Sequence, residues 1–118
     1  MKRILLIEDN KDTCYLMKFF LEKKGYEVIV SMNGREGIRL ARTKKPDLIL
    51  MDILLPDISG EEATKEIRKA LGGDVPILAI TAHAMAGDRE RFLSSGHDGY
   101  IQKPINPDSF IKEIERFV

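Results

Sequence analysis

The fold of this chain is decided by the stretch Pro46-Asp47-Leu48-Ile49-Leu50-Met51-Asp52. Its four central residues are apolar and turn-forming residues precede them, which is typical of a strand buried on both faces of a parallel sheet. In an open α/β sheet the carboxyl ends of the strands border the ligand crevice. We therefore expect Asp52 to be the first polar side chain outside the core. Considered alone, Asp52 is better interpreted as a cap for the loop that follows.

Composition bounds the classes of protein to consider. A chain of 118 residues with 43% hydrophobic residues predicts one domain, residues 1–118. Lys plus Arg equals Asp plus Glu, 19 against 19, so no overall field attracts nucleic acid or an anionic membrane. The apolar run after Met1 is too short for a signal peptide or a membrane span. With a single cysteine, Cys14, these features favour the reducing cytoplasm.

Short apolar runs at 4–7, 26–30, 77–80 and 99–101 predict four more strands. Helical periodicity between the runs predicts five helices, and the fourth has the thinnest apolar stripe. Asn33, Ser59 and Asn106 are the expected N-caps, and Gly25 is an expected helix stop. The side chains expected to face inward are Cys14, Leu16, Met17, Phe20 and Leu21, then Gly37, Ile38 and Ala41, then Ala63, Ile67 and Ala70, then Met85, Phe92 and Leu93, and finally Phe110, Ile111, Ile114 and Phe117.

Five strands that alternate with five helices predict a doubly wound α/β fold with a parallel sheet and helices on both faces. The usual order for five strands is the flavodoxin-like order 2-1-3-4-5, whose switch point lies between the first and third strands. This order brings Glu8-Asp9, after the first strand, beside Asp52. It brings Thr81 and Lys103, after the fourth and fifth strands, to the other flank.

Three carboxylates at one edge repel one another unless a cation compensates. Oxygen ligands without clustered Cys or His select Mg²⁺ or Mn²⁺. We expect Asp9 and Asp52 to be ligands and Glu8 to act through water. A free oxygen of Asp52 can then attack phosphorus and form an aspartyl phosphate, while Lys103 and the Thr81 hydroxyl contact phosphoryl oxygens.

Each residue also has an ordinary structural interpretation. Lys103 is typical of a solvated charge, Thr81 of a strand end that caps a helix, and Tyr100 of a half-buried aromatic residue. His83 and His97 are expected to be a helix-start residue and a loop residue rather than ligands. Several suitable groups at the carboxyl ends of different strands are nevertheless hard to explain by packing alone.

Together these motifs resemble one family over essentially the whole chain. The sequence is similar to response-regulator receiver domains, which carry these residues after the same strands. The matching motifs are Glu8-Asp9, Asp52, Thr81-Ala82, Tyr100 and Lys103-Pro104. The stretch from Thr81 to Glu90 resembles receivers of hybrid kinases and stand-alone phosphorelay receivers. Leu55 departs from the methionine that the family often has before the proline.

The resemblance implies a phosphorylation-switched signalling domain rather than an enzyme. It makes Asp52 the phosphoacceptor for a histidine kinase or phosphotransfer protein. It also implies Mg²⁺ ligation by Asp9, Asp52 and the Leu54 carbonyl, with Glu8 assisting. Thr81 and Tyr100 would be the switch pair, Lys103 the phosphoryl-contacting cation, and the Lys103–Pro104 peptide cis.

No residues remain for an effector after the last helix, so we expect either that output passes through another protein or that this sequence is a piece of a longer chain. Direct nucleic-acid binding is not expected. The expected surface combines the fourth helix, the fifth strand and the fifth helix. Its candidate residues are Met85, Phe92 and Tyr100, flanked by Arg89, Arg91 and Lys112.

Other functions fit less well. A flavin binder of the same fold needs a small-residue anion nest where this chain has Glu8-Asp9. A phosphatase with an aspartate nucleophile would carry a second acid at the position of Leu54. A purely structural pseudo-receiver would lack the acids.

Overall fold

The computed structural model describes residues 1–82 and 88–118, except for the side chain of residue 89. Within these residues strands and helices alternate along the chain. The strands are β1 (Arg3–Ile7), β2 (Glu27–Ser31), β3 (Leu48–Asp52), β4 (Ile77–Thr81) and β5 (Gly99–Gln102). The helices are α1 (Lys11–Lys23), α2 (Gly34–Lys44), α3 (Gly60–Leu71), α4 (Asp88–Ser94) and α5 (Pro107–Glu115).

The sheet confirms the predicted order. All pairings are parallel, and the strands are arranged β2-β1-β3-β4-β5. Every residue of β3 is buried, as expected for the central strand of a sheet covered on both faces. The switch point therefore lies between β1 and β3, where their carboxyl ends open a crevice.

The core lies in two layers, one on each face of the sheet. Side chains alternate along each strand, so one set packs against α1 and α5 and the other against α2 and α3. Each fully buried aliphatic side chain contributes ~1.5–3 kcal/mol. The first layer includes Leu6, Met17, Leu50, Leu78, Phe110 and Ile114. The second includes Leu5, Ile7, Leu40, Ile49, Met51 and Ile67.

The predicted helix starts are confirmed. The Asn33 side chain accepts a hydrogen bond from the Glu36 amide at 2.8 Å, and Ser59 accepts one from the Glu62 amide at 3.1 Å. Asn106 likewise accepts bonds from two amides of α5. Gly25 follows α1 with a φ of +93°, the left-handed conformation expected of a helix stop.

Three residues expected inside are exposed instead. Leu16 is 38% exposed, because the buried stripe of α1 consists of Cys14, Met17 and Leu21 and Leu16 lies beside this stripe. Ala70 is exposed, since the stripe of α3 passes from Ile67 to the half-buried Leu71. Leu93 is 44% exposed, and Phe92 is the fully buried apolar side chain of α4. Met85 lies outside the described residues.

Among the described residues, no helix combines the length and the apolar character needed to cross a membrane.

Candidate functional site

Backbone hydrogen bonds extend the sheet just beyond the strand ends and hold the site residues in register. The Glu8 amide donates to the Ser31 carbonyl at 3.0 Å, and the Lys103 amide donates to the Thr81 carbonyl at 2.8 Å. Behind β3, the backbone of Gly60 packs so closely on the Asp52 carbonyl that a Cβ at Gly60 would collide with it. The sheet therefore fixes the positions from which Glu8, Asp52 and Lys103 extend.

The three acids predicted to converge do so. Carboxylate oxygens of Glu8, Asp9 and Asp52 all lie within 4.8 Å of one another. Glu8 is fully buried and Asp52 is 5% exposed, whereas Asp9 is exposed. Because Glu8 and Asp52 lie deep in this cluster, their charges are poorly solvated and their interactions with each other and with nearby cations are strong.

Lys103 is the cation at the base of this cluster. Its Nζ lies 2.9 Å from Glu8 Oε1 and 3.6 Å from Asp52 Oδ2. The other oxygens accept backbone bonds: Glu8 Oε2 from the Asn10 amide at 3.2 Å, and Asp52 Oδ1 from the Leu54 amide at 3.1 Å. Glu8 Oε1 has no well-aligned hydrogen bond within the described chain, so its proximity to Lys103 is its main compensation.

These contacts separate the proton affinities of the two buried acids. Burial, a hydrogen bond to Glu8 and the Glu8 charge raise the pKa of Asp52 to about 7. Burial also acts to raise the pKa of Glu8, but its contacts with Asp52 and Lys103 outweigh burial and lower it. For Lys103, burial is outweighed by Glu8 and Asp52, which raise its pKa. When the two acids Glu8 and Asp52 together bind one proton, that proton therefore resides on Asp52.

The donor set fits a hard divalent cation. Three carboxylates face one lysine, so negative charge is in excess, and burial together with the neighbouring Glu8 raises the pKa of Asp52. All side-chain donors are oxygens, as Mg²⁺ prefers, and Mg²⁺ typically takes one or two carboxylates and keeps waters. The exposed Asp9 leaves room for those waters.

The cluster opens into a cleft of about 670 Å³. Asp9, Asp52 and Lys103 line it together with Thr81, which ends β4 and is 8% exposed. Leu54 also lines the cleft and its side chain is exposed. The Lys103–Pro104 peptide is cis, as the resemblance implied.

Tyr100 does not line this cleft. It pairs with Ala79 across β4 and β5, which puts it on the same face of the sheet as Thr81, one diagonal step away. Tyr100 is half-buried, and its ring lies 5.9 Å from the Phe92 ring. The two residues of the predicted switch pair are thus neighbours on one sheet face.

Two features of the site were not predicted. Asp88 and Arg91 of α4 also line the cleft, although Arg91 was expected on a partner surface.

His97 follows α4 as a loop residue, as predicted, but it is buried: one ring nitrogen contacts the Thr64 hydroxyl at 2.9 Å and the other the Phe92 carbonyl at 3.2 Å. The contact of His97 with Thr64 joins distant parts of the chain, so local patterns do not reveal it. His83 lies outside the described residues.

Comparison with known proteins places this site in context. Residues 4–115 match the model of the response regulator receiver domain. The polar-differentiation response regulator DivK of Brucella anthropi is 42% identical, over 99% of this chain and 96% of DivK. Hybrid signal transduction histidine kinase I of Dictyostelium discoideum is 43% identical over 90% of this chain, which corresponds to 7% of that kinase.

Solved structures agree with the sequence comparisons. The receiver domain of sensor histidine kinase PA1611 from Pseudomonas aeruginosa PAO1 superimposes with a TM-score of 0.90 at 38% identity, covering 98% of this chain and 96% of that one. That structure has a magnesium ion coordinated in its active site cleft. The Vibrio cholerae chemotaxis protein CheY4 gives a TM-score of 0.93 at 27% identity, covering 100% of this chain and 99% of that one.

The sequence match extends over nearly the whole chain, and the strand order and the acidic cleft agree with it. The chain therefore belongs to the response-regulator receiver domains, the signalling phosphoacceptors of two-component systems.

Proposed function

We propose that Asp52 accepts a phosphoryl group from a phosphohistidine of a histidine kinase or a phosphotransfer protein. The observation that carries this assignment is that Asp52 both lines the cleft and contacts Lys103. Glu8 contacts Lys103 but is fully buried, and Asp9 lines the cleft but is exposed. Of the three acids, Asp52 is therefore the one open to a donor and backed by a cation.

Asp9, Asp52 and the Leu54 carbonyl would hold Mg²⁺ or Mn²⁺, with Glu8 acting through water. The bound magnesium of the PA1611 receiver supports this assignment, as does the convergence of the acids here. When bound, the ion would neutralise part of the negative charge of the cluster and of the transferred group.

In the transfer step an ionised oxygen of Asp52 attacks phosphorus. A new P–O bond forms as the P–N bond of the donor breaks, and the electron pair of that bond stays on the imidazole nitrogen. Burial and the neighbouring Glu8 raise the pKa of Asp52 and so make this carboxylate a better nucleophile. Lys103 already lies at hydrogen-bonding distance from Glu8 and close to Asp52, so it meets the new phosphoryl charge without rearrangement of the sheet.

Thr81 and Tyr100 would then change position in response to the phosphoryl group. The Thr81 hydroxyl donates to a phosphoryl oxygen, and Tyr100, its diagonal neighbour, follows into the space that Thr81 leaves. Hydrogen bonds to charged groups contribute roughly 1.5–3 kcal/mol each, and a shift from 1:99 to 99:1 requires about 5.5 kcal/mol. Bonds from Thr81 and Lys103 together therefore suffice for most of the switch.

The output surface in this proposal comprises α4, β5 and α5 and binds a downstream protein rather than nucleic acid. It adjoins Tyr100, and the added charge itself is screened beyond a Debye length of ~8 Å, so the signal is conformational. The cytoplasm is the expected compartment, and residues 1–118 are the expected single domain. Of the residues expected on this surface, Met85 and the side chain of Arg89 lie outside the described structure.

Intact-mass spectrometry with acetyl phosphate and Mg²⁺ tests the assignment of Asp52. The wild-type protein should gain one phosphoryl group, and Asp52→Asn or added chelator should prevent the gain. Asp57→Asn is the matched control, because Asp57 is an exposed acid five residues away whose carboxylate accepts the Gly34 and Arg35 amides at 2.8 Å each. Normal labelling of Asp52→Asn would refute the assignment.

Hydrogen exchange with and without the phosphoryl mimic beryllofluoride tests the output surface. The largest changes in protection should fall between residues 82 and 103. Changes concentrated instead between residues 14 and 20 of α1 would move the proposed output to the other side of the sheet.

A further inference from the structure

We propose that Arg91 is a second phosphoryl-binding cation of the cleft, delivered by α4. The inference rests on the proposed phosphorylation of Asp52 and extends it. In the unphosphorylated protein Arg91 is held by acids of α3 and α4, and the phosphoryl group draws it away from them.

The acids that line the described part of the cleft outnumber the cations. Among the described residues that line it, the cations are Lys103 and Arg91, and the acids are Asp9, Asp52 and Asp88. Lys103 is already committed, at 2.9 Å from Glu8 and 3.6 Å from Asp52. Phosphorylation adds about −1.5 to −2 charges to a cleft that is already acidic. Arg91 is the cation of this lining that is not engaged with the buried acids.

The acidic partners of Arg91 hold it only weakly. Its Nε lies 3.2 Å from Glu61 Oε1 and a terminal nitrogen lies 3.7 Å from Asp88 Oδ1, while the side chain is 54% exposed. Ion pairs this exposed contribute little to stability. A phosphoryl group offers several strong acceptors to the planar guanidinium fork, which binds such groups with two parallel hydrogen bonds. Exchange of Glu61 for the phosphoryl group is therefore favourable.

Arg91 also contacts the aromatic ring of Phe92. Its guanidinium carbon lies 5.1 Å from the centre of the Phe92 ring, and that ring packs 5.9 Å from Tyr100. Glu61 also accepts a hydrogen bond from the Ser95 hydroxyl at 3.1 Å. When Arg91 turns to the phosphoryl group, Phe92 loses the cation over its ring and Glu61 keeps the Ser95 contact. Arg91 thus links the cleft to the Phe92–Tyr100 pair by a route that does not pass through Thr81.

Beryllofluoride affinity in saturating Mg²⁺, followed by the NMR amide signals of Ile53 and Leu54, tests this role. Arg91→Gln should weaken binding about tenfold, the size expected for loss of a hydrogen bond between charged groups. Glu61→Gln should strengthen binding roughly two- to fivefold, because it removes the acid that competes for Arg91. A purely structural ion pair between α3 and α4 predicts the same direction of change for both variants.

Arg116→Gln is the matched control. Arg116 pairs with Glu113 at 3.0 Å and lies 5.6 Å from the Phe117 ring, so it repeats the contacts of Arg91 on the far end of α5. Its substitution should leave the affinity unchanged. In the wild-type protein the Nε–H signal of Arg91 should shift on addition of beryllofluoride.

The outcomes separate the two proposals. If the wild-type protein binds beryllofluoride and the Arg91→Gln variant binds it equally well, the role of Arg91 is refuted and that of Asp52 stands. Weaker binding by both Arg91→Gln and Glu61→Gln would also refute the role of Arg91. If the wild-type protein does not bind at all, the proposed function fails and this inference fails with it.

Discussion

Leu50 and Asp52 lie two residues apart on β3, on the same face of the sheet, and both are buried, yet burial has opposite energetic effects on them. Leu50 is fully buried among apolar side chains of α1 and α5, and its burial contributes ~1.5–3 kcal/mol to folding. Asp52 is 5% exposed beside Glu8 and Lys103, and burial raises its pKa to about 7. The ionised carboxylate of Asp52 is therefore less favourable in the folded protein than in the unfolded chain.

The difference shows how one strand serves two purposes. The middle of β3 stabilises the sheet, and its carboxyl end holds a carboxylate in an environment that disfavours its charge. A divalent cation bound to the carboxylates relieves that condition, so the energetic cost of folding the site supports its chemistry. Substitutions at the two positions should accordingly change stability in opposite directions.

Leu50→Ala should produce the largest effect. Removal of this side chain leaves a cavity in the central strand and should lower the free energy of unfolding by ~2–5 kcal/mol in urea denaturation. Leu54→Ala is the control, because Leu54 is 77% exposed, and it should change stability by less than ~0.5 kcal/mol. Similar losses of unfolding free energy in both variants would show that the buried Leu50 stabilises the fold no more than the exposed Leu54 does.

Asp52→Asn should stabilise the protein by roughly 1–3 kcal/mol at pH 8 in the presence of EDTA. The folded-state pKa of Asp52, about 7, lies above its ordinary value of 3.8, so the folded protein binds this proton more tightly than the unfolded chain. Stability from that proton is complete below pH 3.8 and is lost as the pH rises through about 7. Lys103 keeps its partner Glu8 in the variant.

Urea midpoints of the wild type and Asp52→Asn between pH 5 and pH 8 measure this effect. The difference between the two proteins should widen as the pH rises and should shrink when excess Mg²⁺ is added, because the ion stabilises the wild-type protein by binding. A variant less stable than the wild type at pH 8 would show that Asp52 is stabilising when ionised.

The same contrast explains what was predictable from the sequence. The apolar run of β3 and the N-caps Asn33, Ser59 and Asn106 are local patterns, and the structure has them as expected. The convergence of Glu8, Asp9 and Asp52 is a long-range contact, but parallel strands meet at their carboxyl ends, so the topology predicts it.

Contacts set by side-chain packing were not predictable. Residues far apart in the chain meet in three places. Lys103 pairs with Glu8, Arg91 lies in the cleft beside residues of other elements, and the buried His97 contacts Thr64. The exposed Leu16, Ala70 and Leu93 have a similar cause: apolar periodicity gives a helix face only to within about one residue, and the layer that the helix covers decides its edge.

His97 gives the smallest predicted effect and the opposite pH dependence from Asp52. Both ring nitrogens of His97 have partners, Thr64 and the Phe92 carbonyl, so the neutral ring is well accommodated. Burial lowers its pKa, and the hydrogen bond to the Phe92 carbonyl and the carboxylates of Glu61 and Asp98 oppose this shift without reversing it. The unfolded chain therefore binds the proton more tightly than the folded protein. The resulting stability is complete above the unfolded pKa, near 6.5, and is lost as the pH falls through the folded pKa.

His97→Gln, made in the Asp52→Asn background to remove the larger effect, should lower the free energy of unfolding by about 1 kcal/mol at pH 7.5. Since glutamine does not titrate, the gap between the two proteins should narrow at pH 5, which lies below the ordinary pKa of histidine, because the parent has lost part of the contribution of His97 there. A constant gap across this range would mean that His97 is protonated alike in the folded and unfolded states. In that case Asp52, but not His97, would be a buried group whose charge the fold disfavours.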